Sequence, residues 1–317
     1  MLNKPITCMA MNADCTQMVL GCADYTAQIY EFNSRSKTWA KIHSLEKHTG
    51  RITGVDWASQ TGKIVTVSSD RNAYVWQFNQ SKNVWEPELV LLRLSRAATC
   101  VKWSPKEDKF AVGSSARLVT VCYWEGQQKC WVSKHIKKPI KSTISCLDWH
   151  PNNYMIAVGS TDMTCRVFSA YIKDIEERPA ANSWGSKLPF GFLLSEFNVN
   201  GWVSAVSFSG DGEQLAFACH DSTLQVAQGG NPDPMVFFGS AAPFTGLEWS
   251  SQNQVVAVGH DRCPFEFVVQ GGTIQYAGKH LGKAGGSGGG VGNAMRSFQN
   301  MDLRRQSAAS EVKTVCL

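Results

Sequence analysis

Apolar and polar residues alternate in short runs along this chain, and the runs recur. Ile6 to Met11, Ile52 to Trp57, Ala98 to Trp103 and Ile144 to Trp149 each alternate over six positions and close on a large apolar residue, at a constant step of 46 residues. Alternation of period two is the mark of a strand with one buried face. A second landmark keeps the same step: Asp24, Asp70, Ala116 and Asp162 fall at the turn between two later strands. A repeat of about 40–50 residues holding several short strands predicts the blades of an all-β propeller.

Blade two shows the pattern best, with strands expected over 52–57, 63–68, 73–78 and 84–91. Blade one is expected over 5–45 with its turn at Asp24. Blade three has Ala116 and Cys122 where blade two has Asp70 and Trp76, and blade four keeps Asp162 but has Phe168 at the Trp position. Blade five opens at Trp202 and turns at Asp221, 13 residues later than the period allows, which places an insertion over 171–191. Blade six runs from Phe244 through Asp261 to about Leu281. The expected organisation is six blades over 1–281, then a Gly-rich linker and short amphipathic helix over 282–309, then residues 310–317. That last run could open a seventh blade, so the chain reads either as six blades with a tail or as a seven-bladed ring whose last blade is truncated.

A buried Trp N–H needs an acceptor. In blade two, Trp76, Ser68, His48 and Asp70 can form a relay from indole to hydroxyl to imidazole to carboxylate, each group satisfying the next. At this point the chain resembles the WD-repeat family, in which such a quartet pins the blade.

Composition narrows the function. An apolar content of 43% with 18% charged residues describes a folded chain, and a net charge of +5 does not call for a nucleic-acid partner. The 11 cysteines are odd in number, and Cys8, Cys100 and Cys146 occupy equivalent strand positions, which favours a reduced, intracellular protein. No CxxC pair or His/Cys cluster has zinc spacing, and no cofactor is expected. No apolar run approaches the ~20 residues of a membrane helix; neither membrane nor nucleic acid is expected as a partner.

Three features could carry chemistry or contacts. The pairs His220-Asp221 and His260-Asp261 are half of a hydrolase triad, but both stand at the blade turn, where an Asp caps backbone N–H groups. No nucleophile elbow or phosphate loop accompanies them, so an enzyme is not expected. Lys134, Lys137, Lys138 and Lys141, with His135, form a basic loop between blades three and four that could meet an acidic peptide or stand solvated. Met295, Phe298 and Met301 recur at helical spacing among Arg296, Arg304 and Arg305 in 293–305; a helix this short needs a partner or the ring itself to fold on.

Several strings are more specific than the generic repeat. Residues 69–76 (SDRNAYVW), 134–140 (KHIKKPI), 168–173 (FSAYIK), 176–180 (EERPA), 184–191 (WGSKLPFG) and 298–302 (FQNMD) closely resemble the WD-repeat subunit family, subunit 1, of the actin-related protein 2/3 complex. The resemblance covers essentially the whole chain. It implies a non-catalytic structural subunit in the cytoplasm and actin cytoskeleton, supporting nucleation of branched filaments. The implied partners are the other subunits of that complex, the actin filament and nucleation-promoting factor peptides. It further implies that Arg296, Phe298, Met301 and Leu303 contact the mother filament, and, as a weaker carry-over, that the basic loop receives acidic activator peptides. A generic WD-repeat adaptor in another assembly is the alternative.

Overall fold

The computed structural model describes residues 4–279, apart from 187, 240, 241 and 262, and these form six four-stranded antiparallel meanders with no helix. The meanders occupy 6–45, 52–90, 98–136, 144–198, 203–238 and 244–279, one per expected repeat. In blade two the strands are Ile52–Trp57, Ile64–Ser68, Ala73–Asn79 and Val84–Val90. The insertion separates the third and fourth strands of blade four, Thr164–Ser169 and Leu193–Asn198.

First strands of successive blades pack side by side, and the apolar core divides into clusters at the seams between neighbouring blades. This is a WD40-type β-propeller. Each sheet is buried on both faces near its middle, which is why second strands such as Met155–Ser160 are apolar at nearly every position. Seams are also tied by polar groups. Thr7, Thr99, Ser145 and Ser204, all at the second position of a first strand, donate to the carbonyl of Ile52, Ile144, Val203 and Phe244 in the next blade. The Trp149 and Trp249 indoles donate backwards, to the carbonyls of Lys102 and Ser207.

Blade one differs at the face that the preceding blade covers elsewhere. Ile52, Val55 and Trp57 are at most 8% exposed, whereas the equivalent Ile6, Met9 and Met11 are 36–60% exposed. The expected linker and helix (282–309) and the possible seventh-blade start (310–317) lie outside the described residues.

Candidate functional site

The polar quartet of blade two closes around a hydroxyl that the sequence reading did not choose. Trp76 Nε1 donates to Thr66 Oγ1 at 2.9 Å, His48 Nε2 lies 2.9 Å from the same oxygen, and His48 Nδ1 lies 2.9 Å from Asp70 Oδ2. Ser68 is therefore not the relay hydroxyl. Register explains why: Trp76 pairs with Ile64 and Tyr74 with Thr66, so Thr66 is the diagonal neighbour of the indole, while Ser68 lies two residues further on, at the turn. There its Oγ accepts the N–H of Asp70. With Thr66 accepting from the indole and donating to His48, the imidazole is left to donate to Asp70. Burial pushes the His48 imidazole down from its usual value, against the pull of Asp70. Burial works to raise the Asp70 carboxyl, but the N–H groups of Asn72 and Thr49 together with His48 bring it below the usual carboxylate range.

The two His-Asp pairs are turns. Asp221 accepts from the backbone N–H and hydroxyl of Thr223 at 3.1 and 2.7 Å, and His220 stacks on Trp202 at 5.6 Å. Asp261 accepts the Ala242 N–H at 2.9 Å. Among the described residues no group of His, Cys, Asp and Glu is arranged to hold a metal.

The basic loop is smaller than the sequence suggested. Lys134 belongs to the strand Cys130–Ile136, pairs with Asp174 at 2.9 Å and lies over the Tyr123 ring. A strand residue pairs sideways with the insertion and is not offered with the loop. Lys137, Lys138 and Lys141 are exposed, and the Lys141 main-chain N–H is held by Asp162 at 2.9 Å.

The insertion reads in sequence as a charged surface segment, yet its central carboxylate points inward. Glu176 pairs with Lys109 at 2.6 Å, both side chains at most 2% exposed, and also accepts from Ile172 N and Asn153 Nδ2. Lys109 also donates to the Ala170 carbonyl. Burial lowers the affinity of the Lys109 amine for its proton, and Glu176 opposes this. Trp184 is 4% exposed and donates to the Gly212 carbonyl in blade five. A lysine opening an apolar strand, KFAVGS, is the one signal in the sequence that this anchor was present. Arg296, Phe298, Met301 and Leu303 lie outside the described residues.

Comparison with known proteins agrees with this architecture. The family profile of the WD domain, G-beta repeat, matches residues 39–77 and 191–226, and that of the anaphase-promoting complex subunit 4 WD40 domain matches 101–186. The chain is 48% identical over 308 residues to actin-related protein 2/3 complex subunit 1A-B of Xenopus laevis, covering 96% of this chain and 82% of the relative. The chain belongs to the actin-related protein 2/3 complex subunit 1 family. Subunit 1B-A of the same organism is 44% identical over 98% of this chain and 84% of its own length. Subunit 1 of Schizosaccharomyces pombe is 40% identical over 178 residues, 49% of this chain and 47% of its own length. The subunit 1 family is non-catalytic, so the relay, the turn carboxylates and the Lys109–Glu176 anchor act here as struts of a scaffold.

Proposed function

We propose that this chain is the WD-repeat scaffold subunit of an actin-related protein 2/3 complex, acting in the cytoplasm on the actin cytoskeleton. The observation that carries the reading is identity of 44–48% over 96–98% of the chain with relatives named for that complex. In this reading the propeller docks on other subunits and supports nucleation of branched filaments. The 293–305 segment contacts the mother filament through Arg296, Phe298, Met301 and Leu303. Lys137, Lys138 and Lys141, without the Asp174-paired Lys134, receive acidic peptides of nucleation-promoting factors. Support for these finer roles is the composition of the two segments: apolar residues at helical spacing in one, three exposed and unpaired lysines in the other.

Affinity purification of the full chain from cells should recover the actin-related proteins. Phe298→Ala should leave that recovery intact and lower branch density about tenfold, the size expected for removing an aromatic hot spot. Normal branch density with the mutant complex would remove the filament contact. Absence of the actin-related proteins would leave a WD-repeat adaptor of another assembly, the reading favoured by the match of 101–186 to the anaphase-promoting complex domain.

A further inference from the structure

In blades two, four and six the second-to-third-strand turn and the connection entering the blade leave from the same rim, as the ties from the turn carboxylates of Asp70, Asp162 and Asp261 to Thr49, Lys141 and Ala242 show, and the same antiparallel meander repeats this in blades three and five. Across blades two to four that rim is basic. Arg51 and Arg71 flank the entry and turn of blade two, Arg93 and Arg117 those of blade three, and Lys137 and Lys138 lead into blade four; all six are exposed. Among the described residues none of the six is in an ion pair. The turn carboxylates that could neutralise them are turned inward: Asp70 is buried against His48 and Asp162 against Arg166. Glu46 is the exposed carboxylate at the blade one edge of the arc, and Asp221 and Asp261 are exposed on the same rim in blades five and six, beyond the arc. The opposite rim mixes signs, with Asp14, Glu107, Asp211 and Asp233 in its turns.

Apolar side chains stand among these cations on the same rim. Tyr25 and Met163 occupy the turns of blades one and four with positive φ of 74° and 61°, and they are 50% and 46% exposed. Leu91 follows the last strand of blade two at 63% exposure, and Trp202 enters blade five at 54%. A charged rim that served only solubility would have no use for apolar tips, whereas cations with interspersed Tyr, Trp and Leu are what an anionic interface binds: the cations meet headgroups and the tips enter the acyl boundary. The groups are spread over the loop tips of five blades rather than lining one cleft, so a flat partner engages them together and a single extended strand does not.

We propose that this rim docks peripherally on an anionic lipid bilayer, with the arginine arc of blades two and three at its centre. The proposal goes beyond the scaffold reading and revises the expectation that no membrane is a partner; it concerns a surface contact, and no helix among the described residues is long and apolar enough to span a bilayer.

The test uses the full chain, alone or in its purified complex, in flotation with phosphatidylcholine vesicles containing about 30% phosphatidylserine, against vesicles of phosphatidylcholine alone. Binding is expected to the anionic vesicles only and to fall steeply with salt. Arg71→Glu/Arg93→Glu/Arg117→Glu should lower partitioning at least ~tenfold and Trp202→Ala about threefold. Lys82→Glu, on the opposite rim, should change nothing. The triple variant leaves Lys137, Lys138 and Lys141 in place, so its loss of vesicle binding is separate from any acidic-peptide contact. As a measurement that needs no variant, amide hydrogen exchange in residues 91–97 and 115–118 should slow when anionic vesicles are added to the unmodified chain. Equal binding to both vesicle types, unchanged binding of the triple variant, or absence of that protection would overturn the proposal. So would binding of polyglutamate or single-stranded DNA without any binding of vesicles.

Discussion

Blades two and four stabilise the same turn with opposite chemistry. In blade two a neutral imidazole, His48, bridges Asp70 and Thr66, with Tyr74 packed edge-on at 4.9 Å. In blade four the residue in register with Tyr74 is Arg166, which reaches Asp162 at 2.9 Å and Glu196 at 2.7 Å from a side chain only 2% exposed. What the two share is the tie from the turn carboxylate to a loop N–H: Thr49 to Asp70 and Lys141 to Asp162, 2.9 Å each. The tie needs the carboxylate ionised and held in place, and either partner does this. The relay is one solution, and it is replaced as a unit. Where blade two has Thr66 and Trp76, blade one has Leu20 and Tyr30, blade three Val112 and Cys122, and blade four Val158 and Phe168. The indole goes wherever the hydroxyl goes, because a buried donor left without its acceptor costs more than an apolar pair does.

The largest effects are expected on the blade four side, where charges are buried. Arg166→Met should destabilise the chain by about 3–5 kcal/mol, since it leaves the Asp162 carboxylate buried without its cation. Lys109→Met should do the same to Glu176, and adding Glu176→Gln should recover part of the loss. Denaturant midpoints at unchanged slope measure both. If Arg166→Met costs under about 1 kcal/mol, the ion cluster is solvated, and the contrast with blade two is one of shape alone.

Intermediate effects are expected in blade two. Thr66→Val strips an acceptor from Trp76 and a partner from His48 and should cost about 2–3 kcal/mol, while Ser68→Ala, which loses one turn hydrogen bond, should cost about 1 kcal/mol or less. The double change Thr66→Val/Trp76→Phe rebuilds the blade four pairing of Val158 and Phe168 and should be less harmful than Thr66→Val alone. A double mutant worse than the sum of its parts would mean that blade two packs its indole for shape and not for its N–H.

This pair also shows how far the sequence could be read. The 46-residue period places the first four sheets to within a few residues, and strand alternation with the turn carboxylates places the last two beyond the insertion, because both signals are local. The relay hydroxyl was misplaced by two residues because it depends on which residue faces Trp76 across the second and third strands, a matter of register. A comparison of positions 20, 66, 112 and 158 would have singled out Thr66 as the one polar residue in an apolar column. For Lys109 the lysine opening an apolar strand was the one signal, and its partner Glu176 was not legible, since the two meet only once the insertion has folded back across a seam. The basic rim was equally hidden, since Arg51, Arg71, Arg93 and Arg117 are scattered singly in sequence and gather only when alternate loops share an edge.

The smallest expected effect sharpens the comparison through pH. At the seam between blades four and five, Asp148 Oδ2 accepts the Phe208 N–H at 2.7 Å. Burial pushes its carboxyl up to about 6 from an unfolded value of 3.8, with Lys102 opposing. A raised folded value means that the contribution of this group is fully present below about pH 4 and is lost as pH rises through about 6. His48 has the opposite sign: its folded value is depressed, so its contribution is present above about pH 6.5 and is lost as pH falls. Mild acid therefore loosens blade two while it relaxes the blade four seam. Asp148→Asn keeps an acceptor oxygen for Phe208 and removes the titration. Relative to the native chain it should gain about 1 kcal/mol more stability near pH 7.5 than near pH 5, and steepen the acid loss that His48 imposes, since the opposing group is gone. Denaturant midpoints at the two pH values decide it: destabilisation near pH 7.5 would show that the ionised carboxylate, paired with Lys102, is what holds the seam, and blade four would then depend on charge at its edge as well as at its turn.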